Sequence, residues 1–276
     1  MDFLNKVIRL ESVDSTNRFL VDLVRQGAEE GTVCVSEYQS EGRGRNSRHW
    51  ESPHSGGLLC SVLFRPPLDL SRIYILPILT LLSILDSMRQ EVQIKAALKW
   101  PNDVVYEGRK LGGMLSEIIE TSGDQGAKRV ALVVGFGINC SWPEEFSISG
   151  IDKSQGTAGN AILPITLAEI TGKKIDKDSL LNQILSNIQD RYGSFQESVA
   201  GRENCGLPEW EAAVAPIMAE YRLHCETIGK EVLVQFHDRV LSGYGEDVTL
   251  EGRLVVSSGG ESVIVDVGDI IHLRPI

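Results

Sequence analysis

Helical periodicity stops at Thr227, and this break constrains the chain more than any other feature. From Gly229 to the C-terminus, short apolar stretches (EVLVQF, DVTLEG, RLVVSS, ESVIVDV and IIHLRP) alternate with Gly-containing turns. Roughly 50 residues carrying five strands suit a small barrel. A unit that size buries only a modest core, so it is expected to pack on the rest of the molecule. Domains are therefore expected at residues 1–226 and 227–276.

Upstream, strand and helix patterns mix. Asp14 and Ser15 precede a helical pattern in which Phe19, Leu20, Leu23 and Val24 share a face; either caps it, and Gly27 is a stop. Thr32–Tyr38 alternates at period two. A polar, Gly-rich loop runs from Gln39 to about Gly57, then a strand at Leu58–Phe64. A helix spans Leu76–Glu91, and a short strand ends near Trp100. Strands at Met114–Ile119 and Val130–Val134 flank a turn at Thr121–Gly126. Helices follow over Leu180–Tyr192 (Leu181, Ile184, Leu185, Ile188) and Glu209–His224 (Trp210, Val214, Ile217, Met218, Tyr221). This mixture predicts an α/β or α+β domain.

Charge and cysteine usage narrow the function classes. Net charge is −11 over 276 residues, so the chain lacks the global field that draws proteins onto nucleic acid or anionic membranes. Five scattered cysteines (Cys34, Cys60, Cys140, Cys205, Cys225) include no Cys-x-x-Cys, which argues against a disulfide framework or zinc knuckle. The charged N-terminus has no signal-peptide core, and the apolar run Ile73–Leu85 is too short to cross a bilayer. A soluble cytoplasmic protein is expected.

Four segments stand out chemically. EGRGRNSRHW (Glu41–Trp50) carries a net +2 against the acidic average; its glycines admit a ligand to the backbone, its arginines suit carboxylate and phosphate, and Trp50 offers a stacking face. Gly-Arg-Gly-Arg after an apolar strand is unusual material for a plain surface loop. KWPNDV (Lys99–Val104) with EGRKLGGML (Glu107–Leu115) sets lysines beside Asp103, as a polyphosphate with Mg²⁺ requires, although Pro-Asn-Asp is also ordinary turn chemistry. In VVGFGINC (Val133–Cys140) an apolar strand runs into two glycines, which equally suit tight packing against a helix. DSTN (Asp14–Asn17) stands at a helix start, where capping alone accounts for Asp and Ser. Neither a dinucleotide fingerprint nor a Walker motif occurs.

Taken in order, DSTN, YQSEGRGRNSRHW, KWPNDV with KLGGML, and GFGIN resemble the biotin–protein ligase family, or biotin–[acetyl-CoA-carboxylase] ligases. The likeness is at motif level from about Leu10 to Cys140. It extends through ITGKKIDKDSLLNQIL into IGKEVLV, GRLVV and GDIIHLRP, similar to the family's C-terminal SH3-like domain. Members often show Gly-Arg after the Gly-Arg-Gly-Arg pair, where this chain has Asn46 and Ser47. Many bacterial members carry an N-terminal helix-turn-helix domain; here the motifs begin by residue 14, so the resemblance is to the enzyme-only form.

The resemblance implies an α+β catalytic domain of the biotin/lipoate ligase type (a mixed sheet with helices) followed by an SH3-like β-barrel. It implies ATP-dependent formation of biotinyl-5′-AMP from biotin, with Mg²⁺ assisting and no tightly bound prosthetic group, then transfer of biotin to a lysine. The implied partner is a biotin carboxyl carrier protein or biotin-accepting carboxylase domain, with no DNA and no membrane; a homodimer is left open. Residue by residue, Lys110, Arg45 and Arg43 take the catalytic charges. Ser15, Thr16, Asn17, Gln39, Gly42, Arg43, Lys110, Gly113 and Gly135 match the biotin side. Arg45, Trp50, Lys99, Asn102, Asp103, Lys110 and Asn139 match the ATP side, and Asp103 orients Mg²⁺. The loop Gln39–Gly57 is expected to order on ligand binding. Two rivals stand beside this reading: a lipoate or octanoate ligase or transferase, whose motif set is not found, and a non-enzymatic SH3-like interaction module on a nucleotide-sensing domain, which leaves the +2 loop and Lys110 idle.

Overall fold

Strands contributed from both ends of the first 140 residues build the main sheet. They are β1 (Lys6–Leu10), β2 (Thr32–Ser36), β3 (Gly57–Phe64), β4 (Ala97–Lys99), β5 (Asp103–Tyr106), β6 (Arg109–Ser122) and β7 (Lys128–Asn139), in the order β1-β2-β3-β7-β6-β5-β4. β1 and β2 pair in parallel and every other pair is antiparallel. This is a computed structural model, and it describes residues 4, 6–122, 128–146, 163–199, 207–236, 239–266 and 269–272.

The sheet has two unlike faces, because successive strand residues point to opposite sides. Leu58, Cys60, Val62 and Phe64 of β3 and Leu132, Val134, Phe136 and Ile138 of β7 join the large core. Helix α2 (Ile75–Ser87) lies in that core with every residue buried except Pro77 and Asp86. Its hydroxyls are satisfied by back-bonding, Thr80 to Leu76 O and Ser83 to Leu79 O. The expected buried helix is therefore present, ending at Ser87 and followed by a wide turn at Met88–Val92. The opposite face receives α1 (Thr16–Arg25), whose Leu20 and Val24 pack on Cys34, Leu63, Ala131 and Val133.

Helices α3 (Leu167–Thr171), α4 (Lys177–Val199) and α5 (Leu207–His224) follow. The apolar stripes expected on α4 and α5 are buried, with Ile217 only partly so. α4 is longer at both ends than its periodicity suggested; Gly193 does not stop it.

The second sheet runs β8 (Glu231–Gln235), β9 (Val240–Val248), β10 (Leu254–Ser258), β11 (Glu261–Val265) and β12 (Asp269–His272), in the order β11-β10-β9-β8-β12. A five-stranded antiparallel sheet is present; among the described residues no pairing of β11 with β12 closes it. Its inner residues Val232, Val234, Val248, Leu254 and Val256 share one core with α2, α4 and α5. Trp100 anchors the junction, its amide donating to Thr227 Oγ1 at 3.0 Å and its indole N–H to Gly252 O at 2.8 Å.

Several expectations need correcting. β1 was not anticipated, and β5 forms where only a turn was read, because Asp103–Tyr106 finds a partner in β6. β6 and β7 extend well beyond the expected limits, and of the turn between them residues 123–127 lie outside the described residues, as does Cys205. In DVTLEG only Asp247 and Val248 are strand. The strand is VLSGYGEDV, where Gly243 and Gly245 permit close approach: a Cβ would stand 2.4 Å from Ser257 O at one and 2.5 Å from Thr227 O at the other. Glycines that look like turn signals in sequence are packing residues here.

Candidate functional site

The α1 face of the sheet is floored with small residues beside that helix. Gly135 and Gly137 of β7, Gly113 of β6 and Ser61 of β3 all point there. A Cβ on Gly135 would lie 1.9 Å from Asn17 Oδ1, and one on Gly137 would lie 2.5 Å from the Trp50 ring. A Cβ on Gly113 would meet Trp50 at 3.1 Å and both Asp103 Oδ1 and Lys110 Cε at 3.3 Å. The glycines of GFGIN therefore relieve packing against site side chains. β7, last of these strands in sequence, is central in space.

One end of this cleft is a network of short hydrogen bonds. Ser15, Thr16 and Asn17 are buried at the start of α1. Ser15 occupies the N-cap position without making a side-chain cap bond, so capping does not explain the residue. Gln39 Oε1 accepts from Thr16 N at 2.8 Å and from Thr16 Oγ1 at 3.0 Å. With that oxygen occupied, the amide NH₂ of Gln39 is its remaining polar group. Ser61 Oγ lies 2.7 Å from Thr16 Oγ1 and 2.6 Å from Asn17 Oδ1. Asn17 Nδ2 donates to Leu115 O and Glu117 Oε1, and Arg43 Nη2 pairs with Glu117 Oε2 at 3.2 Å.

The other end is charged. Lys110 Nζ sits 2.7 Å from Asp103 Oδ1 and 5.7 Å from the centre of the Trp50 ring. Asp103 faces Lys99 across β4 and Gly113 across β6; Lys99 is buried. Asn139 donates both amide hydrogens to carbonyls, Lys110 O and Ile165 O at 3.1 Å each, leaving its Oδ1 for any ligand. Asn102 bonds Met114 through backbone and side chain. The buried Trp50 indole N–H has no acceptor, which suits a site that receives an acceptor-rich ligand.

The Arg-rich loop crosses above this floor. Its entry is bound to residues 13 and 14 (Ser40 N to Val13 O, Glu41 N to Asp14 O), and Arg18 bridges Asp14 and Glu41 at 2.7 and 2.8 Å. Burial pulls the Asp14 carboxyl up, but Arg18 and the Ser15 amide outweigh it and hold the net value below the usual range. The exit is fixed by Cys140 N and Ser141 N, both donating to Gly56 O. Between them Trp50 N donates to Gly42 O at 2.9 Å, and a Cβ at Gly42 would fall 2.3 Å from Trp50 O. Arg45 begins a single tight turn, Arg45–Ser47, in which Asn46 adopts φ +53°. Asn tolerates that left-handed conformation better than most residues.

Of the residues nominated from sequence, the contacts bring Thr16, Asn17, Gln39, Arg43, Trp50, Asp103, Lys110, Gly113 and Gly135 to this face. Sequence reasoning missed Ser61, Gly137 and Glu117. Period-two spacing from Gly135 singles out Gly137, and a lone glutamate in MLSEII was the signal for Glu117. No cysteine is poised as a nucleophile among the described residues: burial pushes Cys34 and Cys140 up to about 12.

Comparison with known proteins bears on the family and the fold. Residues 10–139 match the model of the biotin/lipoate A/B protein ligase family. The biotin–[acetyl-CoA-carboxylase] ligase of Mycobacterium tuberculosis is 28% identical over 267 residues, covering 94% of this chain and 86% of that protein. The bifunctional ligase/repressor BirA of Bacillus subtilis is 29% identical over 66% of this chain, which spans about half (52%) of that protein. A structure of the Aquifex aeolicus biotin protein ligase in complex with biotin and ATP superposes with TM-score 0.73 at 25% identity, over 98% of this chain and all (100%) of that one. The matched domain, the relatives and the shared fold agree: residues 10–139 carry a domain of the biotin/lipoate A/B protein ligase family.

Proposed function

We propose that this protein is an ATP-dependent biotin–protein ligase. The carrying observation is the polarity of the cleft: an uncharged network at Thr16 and Gln39, and at the other end a lysine paired with Asp103 beside an unsatisfied indole. Gly113 and Glu117, four residues apart on β6, mark a span of about 13 Å, room for a neutral ring at one end and a carboxylate at the other. Gln39 and Thr16 suit a cyclic urea. A lipoyl dithiolane ring offers nothing for these donors to bind, so the network favours biotin over the lipoate reading.

In the first step biotin's carboxylate attacks the α-phosphorus of ATP, and the bond to the pyrophosphate oxygen breaks. Two anions must meet, so fixed cations offset their repulsion and the charge of the transition state. Lys110 bridges carboxylate and α-phosphate in this reading, Arg45 holds the adenylate phosphate and Arg43 closes the biotin side. Trp50 lies against adenine, with Lys99, Asn102 and Asn139 lining the nucleotide side. In the second step a carrier lysine attacks the acyl carbon and AMP leaves, so the enzyme needs no nucleophile of its own. The acceptor is a biotin carboxyl carrier protein or carboxylase domain.

Among the described residues no cluster of three His, Cys, Asp or Glu could hold a metal ion. That fits Mg²⁺ used with a nucleotide, which binds through one or two carboxylates plus substrate phosphates; Asp103 is the carboxylate available, and the metal would screen phosphate charge. We further place the domain boundary at residues 226 and 227 and read the C-terminal sheet as an SH3-like barrel. Biotin-dependent ATP–pyrophosphate exchange tests the function. Exchange with biotin but not with lipoate is expected; exchange with lipoate alone, or with neither, overturns it.

A further inference from the structure

Glu117 is a carboxylate at the Thr16 and Gln39 end of the cleft that touches two of its walls. It stands on β6, 24% exposed, facing the α1 side between Leu115 and Ile119. Its oxygens are divided: Oε1 accepts from Asn17 Nδ2 at 3.0 Å, and Oε2 pairs with Arg43 Nη2 at 3.2 Å. Asn17 belongs to α1 and Arg43 to the loop. The loop is also bound at residues 40–41 and 54–56, and Trp50 lies on Gly113 and Gly137.

We propose that Glu117 is a positioning residue that sets the affinity for biotin by holding Arg43 and Asn17 in register across the cleft. This rests on the ligase reading. Three observations converge on it. A carboxylate between a guanidinium and an amide satisfies both, so neither side chain must reorganise when a ligand enters. The Asn17 amide is oriented from both sides, with Nδ2 donating to Leu115 O and Glu117 and Oδ1 facing Ser61, so loss of Glu117 removes one of the three bonds that orient it. And β6 carries the tether on the same strand as Gly113, four residues from the floor against which Trp50 lies, so loop and floor are referenced to one rigid element. Glu117 stands seven residues from Lys110 on β6, which separates its effect from phosphate chemistry.

The test uses Glu117→Gln, isosteric and still able to accept from Asn17, together with Glu117→Ala. Circular dichroism and thermal melts confirm folding, and initial rates of exchange are measured against biotin and ATP separately. KM for biotin is expected to rise about tenfold in Glu117→Gln and further in Glu117→Ala, with KM for ATP and kcat within about twofold. In an Arg43→Gln background the same change should add little, because the residue acts through Arg43. Unligated enzyme should also be cut faster by trypsin at Arg45 and Arg48 when Glu117 is replaced. Unchanged biotin KM, or equal changes in both KM values and kcat, overturns the proposal. If wild-type enzyme shows no biotin-dependent exchange, the ligase reading falls, whereas the trypsin comparison still decides the tether.

Discussion

The two faces of the seven-stranded sheet are made from the same strands and do opposite jobs. On the α2 face, alternate residues of β3 and β7 are Leu, Cys, Val, Phe and Ile, buried beneath helices. On the α1 face, the intervening positions include Ser61, Gly135 and Gly137, and the space a side chain would fill is left to Asn17 and Trp50. Burial of large apolar groups stabilises the first face by roughly 1.5–3 kcal/mol per residue. The second gives up that gain along part of its length and substitutes hydrogen bonds worth about 1 kcal/mol each. Stability and recognition are thus separated by the period-two alternation of a β-strand.

Substitutions on the two faces should fail differently. The largest effect is expected from Lys110→Ala, which removes the cation between two anionic reactants: exchange should fall by more than about a hundredfold with unchanged circular dichroism. Near-normal exchange would erase the functional half of the contrast. On the α2 face, Leu82→Ala opens a cavity beneath α2 and should cost about 2–5 kcal/mol in urea unfolding, while kcat per folded molecule stays close to wild type. Gly135→Ala is the smallest change on the polar face, yet its Cβ displaces Asn17 and the bonds it makes. Biotin affinity should drop about tenfold or more, with a melting temperature near wild type; a large stability loss instead would show that this face is also core.

Smaller effects sharpen the picture at the rim. Trypsin should cut at Arg43, Arg45 and Arg48 quickly in free enzyme, slowly with biotin plus ATP, and at an intermediate rate with biotin alone. Equal rates in all three conditions refute ordering of the loop. Smallest is the latch between α4 and the loop exit, where Lys177 Nζ contacts Glu37 Oε2 at 2.5 Å and Ser55 O at 3.1 Å. Burial raises the Glu37 carboxyl, but Lys177 and Ser55 outweigh it and hold the value below the ordinary one. Its contribution is therefore present above the unfolded value and lost as pH falls through the folded one. Glu37→Gln should cost about 0.5 kcal/mol at neutral pH, a difference that closes as acid protonates the folded-state carboxyl in urea titrations.

How far the sequence could be read follows from what each residue answers to. Residues whose state depends on near neighbours were legible: the apolar run of α2, the stripes of α4 and α5, the alternation of β2 and β3. The motif residues of the site were legible because a ligand's charge and shape demand particular side chains. β1 and β5 were not, since each is short and exists only through a partner strand. Gly243 and Gly245 misled for the same reason, their purpose being contacts at Ser257 and Thr227. Glu117 looked like one acidic residue among many until Asn17 and Arg43, far away in sequence, were brought to it.

The sequence by itself therefore determined the helices α2, α4 and α5 and the strands β2 and β3, that the last 50 or so residues form a β unit, and which segments gather charge against the acidic average. Tertiary structure decided the order of strands, the central place of β7 and the pairing of Lys110 with Asp103. It also decided which glycines admit a neighbouring atom and which end of the cleft is neutral. The physical reason is range: backbone preference and hydrophobic period act over a few residues. Hydrogen bonds, ion pairs and steric room act over a few ångströms, between residues the chain brings together only when folded.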